Sequence, residues 1–212
     1  MKSFFTIKEN IQTEIVVKKS KFICSLFYVS SQDEAEEFIK KTKKKYFDAK
    51  HNCVAYRIND AGRLVEKSND DGEPSGTAGA PMLNILQKND LSNILVVVTR
   101  YFGGILLGTG GLVRAYSDSL LKAVDNSEKI EKIEGIEMLV NLEYANLENF
   151  KYYCKINQIN ITNVDYSEII ECKIELEDEK SKRILEDFEN KNINLNGIKI
   201  LSKKMINKSI TK

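Results

Sequence analysis

Glycine and proline are confined to one stretch of this chain. Nine of the eleven glycines and both prolines fall between Gly62 and Gly111, and the last hundred residues hold two glycines, Gly135 and Gly197. Glycine reaches backbone conformations closed to other residues and lets another group approach closely. Sharp turns and close contacts therefore belong to residues 62–111, and regular elements to the rest. Arginine is biased the same way: Lys outnumbers Arg 27 to 5, yet Arg57, Arg63, Arg100 and Arg114 all precede residue 115. Two compositional regimes predict two domains, residues 1–128 and 135–212, with the polar stretch Asp125–Glu134 at the junction.

Bulk composition narrows the function classes. The 32 basic and 31 acidic residues leave a net charge of +1, which gives no global field toward nucleic acid or anionic lipid, although a local basic patch stays open. No apolar run approaches the ~20 residues of a membrane-crossing helix. Residues Met1–Gln12 mix charge with short apolar pieces, unlike a signal peptide. A cytoplasmic chain without membrane contact is expected, as a monomer or weak homo-oligomer. Cys24, Cys53, Cys154 and Cys172 lie in or beside apolar runs, form no Cys-x-x-Cys pair and fit no zinc spacing. Buried, reduced thiols are expected, with no metal and no cofactor.

Hydrophobic periodicity places strands at Glu14–Val17 and Lys21–Val29. Ser31, with Glu34 three residues on, reads as a capping box opening a helix. That helix has acids in its first turn and Lys40, Lys41, Lys43, Lys44 and Lys45 in its last, an order that suits the helix dipole. The lysines read most simply as a solvated helix end, with phosphate contact as the alternative. Asn52–Ile58 reads as a strand, Asn59–Gly76 as a polar loop and Ala78–Lys88 as a short helix. Ile94–Tyr101 reads as a strand buried on both faces, and Gly108–Val124 as a helix. The second half reads strand Met138–Tyr144, helix Leu147–Asn157, strands Ile161–Tyr166 and Ile169–Leu176, helix Lys180–Asn190 and strand Ile198–Ile206. This β-α-β-β-α-β order is that of a ferredoxin-like domain.

The strongest chemical signal runs from Thr99 to Arg114. A buried strand ends in a glycine loop (Gly103, Gly104, Gly108, Gly110, Gly111) that opens a helix, whose free N–H groups and positive dipole end suit an anion. Arg100 and Arg114 add the means for bidentate charge. Val113 breaks the dinucleotide pattern and no Gly-Lys-Ser/Thr is present, so neither nucleotide fingerprint applies. Anion binding and tight strand–helix packing both stay open. A second signal is the acidic loop Asp70, Asp71, Glu73 and Thr77, which reads as a helix-preceding turn, a partner loop or a cation site. His51, the single histidine, is a candidate base, but its apolar strand favours a structural role. No nucleophile spacing points to it.

Three motifs carry a family resemblance: His51-Asn52-Cys53-Val54-Ala55-Tyr56-Arg57, Asp70-Asp71-Gly72-Glu73-Pro74-Ser75-Gly76-Thr77-Ala78-Gly79, and Thr99 through Gly104 with Gly108 through Tyr116. Together with the second half, they resemble the Impact/YigZ family over nearly the whole chain. Val54 stands where the pattern has Trp, a departure expected to alter packing rather than the site. The resemblance implies an α+β protein. Its N-terminal part would be an α/β sandwich like the second domain of a small-subunit ribosomal protein, a fold shared with galactokinase and mevalonate kinase relatives whose glycine loop cradles phosphate. Its C-terminal part would be a ferredoxin-like domain similar to the last domain of elongation factor G. It also implies eukaryotic relatives that regulate translation as binding proteins.

Two functions follow as expectations. The first is a non-catalytic, translation-associated regulator that binds RNA or a ribosomal or translation-factor partner through the glycine-rich face, with Arg57, Arg100, Tyr101, Arg114 and Tyr116 as contacts. The second is an enzyme or binding protein for a small phosphorylated ligand, with the glycine loop as anion site and His51, Asp70, Asp71 and Glu73 as acid–base or metal groups.

Overall fold

The computed structural model describes residues 3–60 and 62–208. The expected domain limits at residues 1 and 212 lie outside the described residues. The chain divides into two compact units, residues 3–130 and the remainder from Glu131 onward. Both are mixed α/β with antiparallel sheets.

The first unit contains β1 (Ser3–Ile7), β2 (Ile11–Val17), β3 (Ser20–Tyr28), α1 (Gln32–Lys45), β4 (His51–Asp60), β5 (Arg63–Asn69), α2 (Gly79–Lys88), β6 (Ile94–Tyr101) and α3 (Gly108–Asp125). Its sheet order is β2-β3-β6-β4-β5, antiparallel throughout. One face of the sheet (Phe22, Cys24, Leu26, Cys53, Val96, Val98) packs on Met82 and Leu86 of α2 and on Leu112, Tyr116 and Leu120 of α3. The other (Val54, Tyr56, Leu95, Val97) packs on Ala35, Phe38 and Ile39 of α1. Helices on both faces explain why central β6 opens with the unbroken apolar run Ile94–Val98 and is buried from Ile94 to Arg100. Val54 faces α1, opposite to the side taken by His51 and Cys53, so its difference from the family pattern is one of packing there.

The cap of α1 is built as its sequence suggests, with one shift. Ser31 Oγ accepts the Glu34 N–H at 3.2 Å, but the Glu34 carboxylate reaches back to Ser30, accepting from its N–H at 2.8 Å and its hydroxyl at 2.9 Å.

The second unit holds β7 (Lys129–Leu142) from Glu131 on, α4 (Leu147–Ile156), β8 (Asn160–Tyr166), β9 (Ile170–Leu176), α5 (Asp178–Glu189) and β10 (Gly197–Asn207). Antiparallel pairings set the order β10-β7-β9-β8. Met138, Val140, Leu142, Ile170, Cys172 and Ile174 face Phe150 and Cys154 of α4 and Ile184 of α5.

Three elements differ from the sequence reading. Residues 63–69, read as loop, form the edge strand β5. With one neighbour strand and mostly exposed side chains, it lacks the alternation that marks a strand. The polar stretch Asp125–Glu134 is not loop throughout: from Lys129 it forms the first half of the long strand β7, whose isoleucines at 130, 133 and 136 are spaced by three and fit neither period. Short β1 escapes notice, yet Phe4 and Ile7 are almost fully buried.

Candidate functional site

The candidate residues of the first unit converge at the end of the sheet where β6 leads into the glycine loop. Antiparallel register sets Phe22, Arg100 and His51 side by side on β3, β6 and β4. All three lie on the α2/α3 side of the sheet, and Arg100 is only 5% exposed. The acidic loop folds in beneath them. Positive φ at Asp71 (46°) and Gly72 (85°) turns the chain so that Glu73 enters the interior. One carboxylate oxygen, Glu73 Oε1, accepts from Arg100 Nη1 at 2.6 Å and from the Tyr116 hydroxyl at 2.9 Å. His51 Nε2 lies 3.8 Å from the same oxygen. The guanidinium is further enclosed by the rings of Phe22 and Phe102, whose centroids lie 5.4 and 5.7 Å away. Arg100 is therefore committed to an internal ion pair.

The other acids are also internal partners. Asp70 accepts from the backbone N–H groups of Gly76 (2.8 Å), Ala78 (3.0 Å) and Gly79 (2.8 Å), so its carboxylate caps α2. Burial pushes the Asp70 carboxyl up, but these three donors outweigh it and hold it below its ordinary value. Asp71 is likewise lowered: against its burial stand Lys43 Nζ at 2.7 Å and the Asn52 N–H at 2.7 Å. Thr77 donates to the Pro74 carbonyl at 2.7 Å and is a turn residue. His51 Nδ1 is 2.8 Å from the Asp71 carbonyl, which can only accept, so Nδ1 is the donor there. The Cys53 thiol lies 2.9 Å from the Asp70 carbonyl and 3.3 Å from the Tyr116 hydroxyl. Burial pushes this thiol up to about 12 and raises Tyr116 as well.

The glycine loop runs over this buried cluster. Gly103 donates its N–H to Ser20 Oγ at 3.1 Å, and a Cβ there would sit 2.0 Å from the Lys19 carbonyl carbon. Only glycine fits that approach. Gly104 and Gly108 have φ of 82° and 72°, while at Gly110 a Cβ would meet nothing within 4 Å. Gly111 lies in the first turn of α3, against Leu107. Helix α3 starts without a side-chain cap or an acid in its first turn. Arg114 is exposed and has no hydrogen bond or ion pair among the described residues. The loop itself is apolar at its surface: Phe102, Ile105 and Leu106 are 45%, 42% and 83% exposed.

Two expected contacts lie apart from this cluster. Arg57 is six residues along β4 from His51, ~20 Å at strand rise, and pairs there with Glu66 at 2.9 Å and Asp90 at 3.1 Å. Tyr101 faces the α1 side, donating to Asp48 at 2.8 Å, which raises its hydroxyl to about 12. Ser20 and Phe22 belong to the site but carried no signal: both sit in an ordinary strand and matter only through the β3–β6 register. Cys53 was readable only as part of a motif. Among the described residues no three His, Cys, Asp or Glu side chains are grouped to hold a metal ion, and no helix is long and apolar enough to cross a membrane.

Comparison with known proteins gives a consistent result. A family model described as the Impact N-terminal domain matches residues 18–124, which span the whole cluster. The IMPACT family member YvyE of Bacillus subtilis is 42% identical over 184 residues, 87% of this chain and 84% of that one. The IMPACT family member YigZ of Escherichia coli is 36% identical over 163 residues, 76% of this chain and 79% of that one. Among solved structures, a crystal structure described as that of a hypothetical protein is similar over 95% of this chain and 98% of its own, at 30% identity with a TM-score of 0.63.

Proposed function

The chain belongs to the Impact family, and on that premise we propose that it is a non-catalytic, translation-associated binding protein of the cytoplasm. It docks a protein component of the translation apparatus through the glycine-loop face of its first unit. One observation carries this reading. The loop after β6 turns Phe102, Ile105 and Leu106 outward while Arg100, the cation beside it, is held inside by Glu73. A loop whose adjoining Arg100 is neutralised internally and whose tip is apolar suits a protein partner better than a phosphate backbone, and apolar patches of this kind mark interaction sites. The buried ion pair beneath serves as a rigid base for the loop. The finer fold goes with this reading: the first unit is taken as the ribosomal-protein type of α/β sandwich. The antiparallel order β10-β7-β9-β8 with two helices on one face supports a ferredoxin-like second unit.

The test is a cell-free translation system supplemented with the purified chain. Reporter synthesis changes with dose for the wild type and is unaffected by Ile105→Asp/Leu106→Asp. No dose response from the wild type, or an unchanged response from the variant, counts against the proposal.

The uncapped start of α3 beside unpartnered Arg114 favours a second reading, a small phosphorylated ligand at that helix end. Millimolar sugar phosphates or nucleotides should then raise the melting temperature by mass action. No shift dismisses it.

A further inference from the structure

Lys43 of α1 binds Asp71, but the other lysines of the helix have no part in the site above, and the fold gives them a setting. Helix α1 covers β4 and β6 and reaches β3 through Phe38 on Phe27, but leaves the same face of β2 (Gln12, Glu14, Val16) open. Between the last turns of α1 and this open face lies a cleft of about 340 Å³. One wall is the aromatic pair Phe27 and Phe38, stacked on each other with centroids 4.6 Å apart. Its polar groups converge: Gln12 Nε2 donates to Ser25 Oγ and to the Tyr46 hydroxyl, both at 2.8 Å. Lys41 and Lys45 line the cleft, and helical spacing puts Lys40 and Lys44 on the crest one row further out. Lys41 is shared with Glu37 at 3.3 Å, whereas Lys40, Lys44 and Lys45 have no carboxylate partner among the described residues. A chain of net charge +1 thus concentrates unneutralised positive charge along one lip of one cleft.

We propose that this cleft is a binding site for single-stranded RNA, with the backbone phosphates along Lys40, Lys41, Lys44 and Lys45 and a base lying in the cleft against the Phe27–Phe38 stack. The site is separate from the glycine-loop face and takes a different class of partner, so it stands or falls independently. Lysine ammonium groups act as point charges, suited to phosphates and indifferent to sequence. Aromatic walls beside a basic lip are the pairing by which single strands are held. An amide and two hydroxyls at hydrogen-bond distance of one another offer a base edge both donors and acceptors. An acidic peptide would use the lysines but leave these polar groups without a role.

The experiment is a fluorescence-anisotropy titration of the full chain with a labelled twelve-nucleotide oligouridylate across a salt series. Lys40→Ala/Lys44→Ala/Lys45→Ala alters exposed side chains only, so the fold should be kept, as checked by circular dichroism. Three lost phosphate contacts should flatten the log–log salt slope by about 2 and weaken binding at least tenfold at low salt. Lys155→Ala/Lys199→Ala/Lys203→Ala removes the same charge from the second unit and should leave the affinity as it was. An abasic strand of equal length should bind at least tenfold more weakly than the oligouridylate. The proposal is overturned by absent binding at low salt, by equal losses in the two triple variants, or by an abasic strand that binds as well. A poly-glutamate peptide that competes as effectively as the RNA also overturns it and assigns the cleft to an acidic protein.

Discussion

Replacing Glu73 by Ala tests the buried pair most sharply. In the folded protein the Glu73 and Arg100 side chains are 3% and 7% exposed, and the Oε1–Nη1 distance is 2.6 Å. Removing the carboxylate leaves a guanidinium buried without a counter-charge, which costs about 3–5 kcal/mol. The Tyr116 hydroxyl also loses its acceptor, adding about 1 kcal/mol. Of a total stability of ~5–15 kcal/mol this is a large part. It should lower the melting temperature of the first unit by about 10–20 °C. Urea unfolding followed by far-ultraviolet circular dichroism measures the loss, and tyrosine emission gives a second probe in a chain without tryptophan. Glu73→Gln should cost nearly as much, because it keeps the shape and removes the charge. Glu73→Leu/Arg100→Met should recover most of the stability, since an apolar pair needs no compensation. A cost below about 1 kcal/mol for Glu73→Ala, the range of exposed ion pairs, would refute the argument that this pair is dry and structural.

Three further outcomes follow from the same geometry. Gly103→Ala forces a methyl group against the Lys19 backbone at 2.0 Å, and urea unfolding should show a loss of about 2–3 kcal/mol. Asp70 and Asp71 titrate below their ordinary values when folded. The stability they contribute is therefore full above about pH 4, the unfolded value, and is lost as pH falls through the folded values. Asp70→Asn should make stability less steep in pH on the acid side, as acid titration of circular dichroism will report. All four cysteines are buried and unpaired, with Cys24, Cys53 and Cys154 pushed by burial up to about 12. Ellman's reagent should find no fast thiol in the native chain and four after unfolding.

The helices of the first unit were legible because their signals are local. Ser31 and Glu34 mark the start of α1, and a periodic apolar stripe marks α3. The edge strand β5 was not, because a strand exposed on most of its surface is not required to alternate; nor was the half-buried first half of β7, whose isoleucines recur every third residue. The site was legible as a set of positions and illegible as a set of pairs. Asp70, Asp71 and Glu73 are three similar acids in sequence, yet one caps a helix, one binds Lys43 and one enters the core. Which acid does which depends on positive φ at Asp71 and Gly72 and on the β3–β6–β4 register, neither of which is visible from composition or spacing. Arg100 and Arg114 looked equivalent for the same reason, although one is buried and paired and the other is exposed.

The central claim is that the glycine-loop tip is the docking surface. The most direct measurement places a photoreactive benzoylphenylalanine at position 106, 83% exposed on that tip, and separately at position 156, 60% exposed on α4. Each chain is irradiated with purified ribosomes that retain their associated factors. Position 106 is predicted to form one protein adduct that excess wild-type chain suppresses, and position 156 none. No adduct at position 106, or equal adducts at both, would contradict the account.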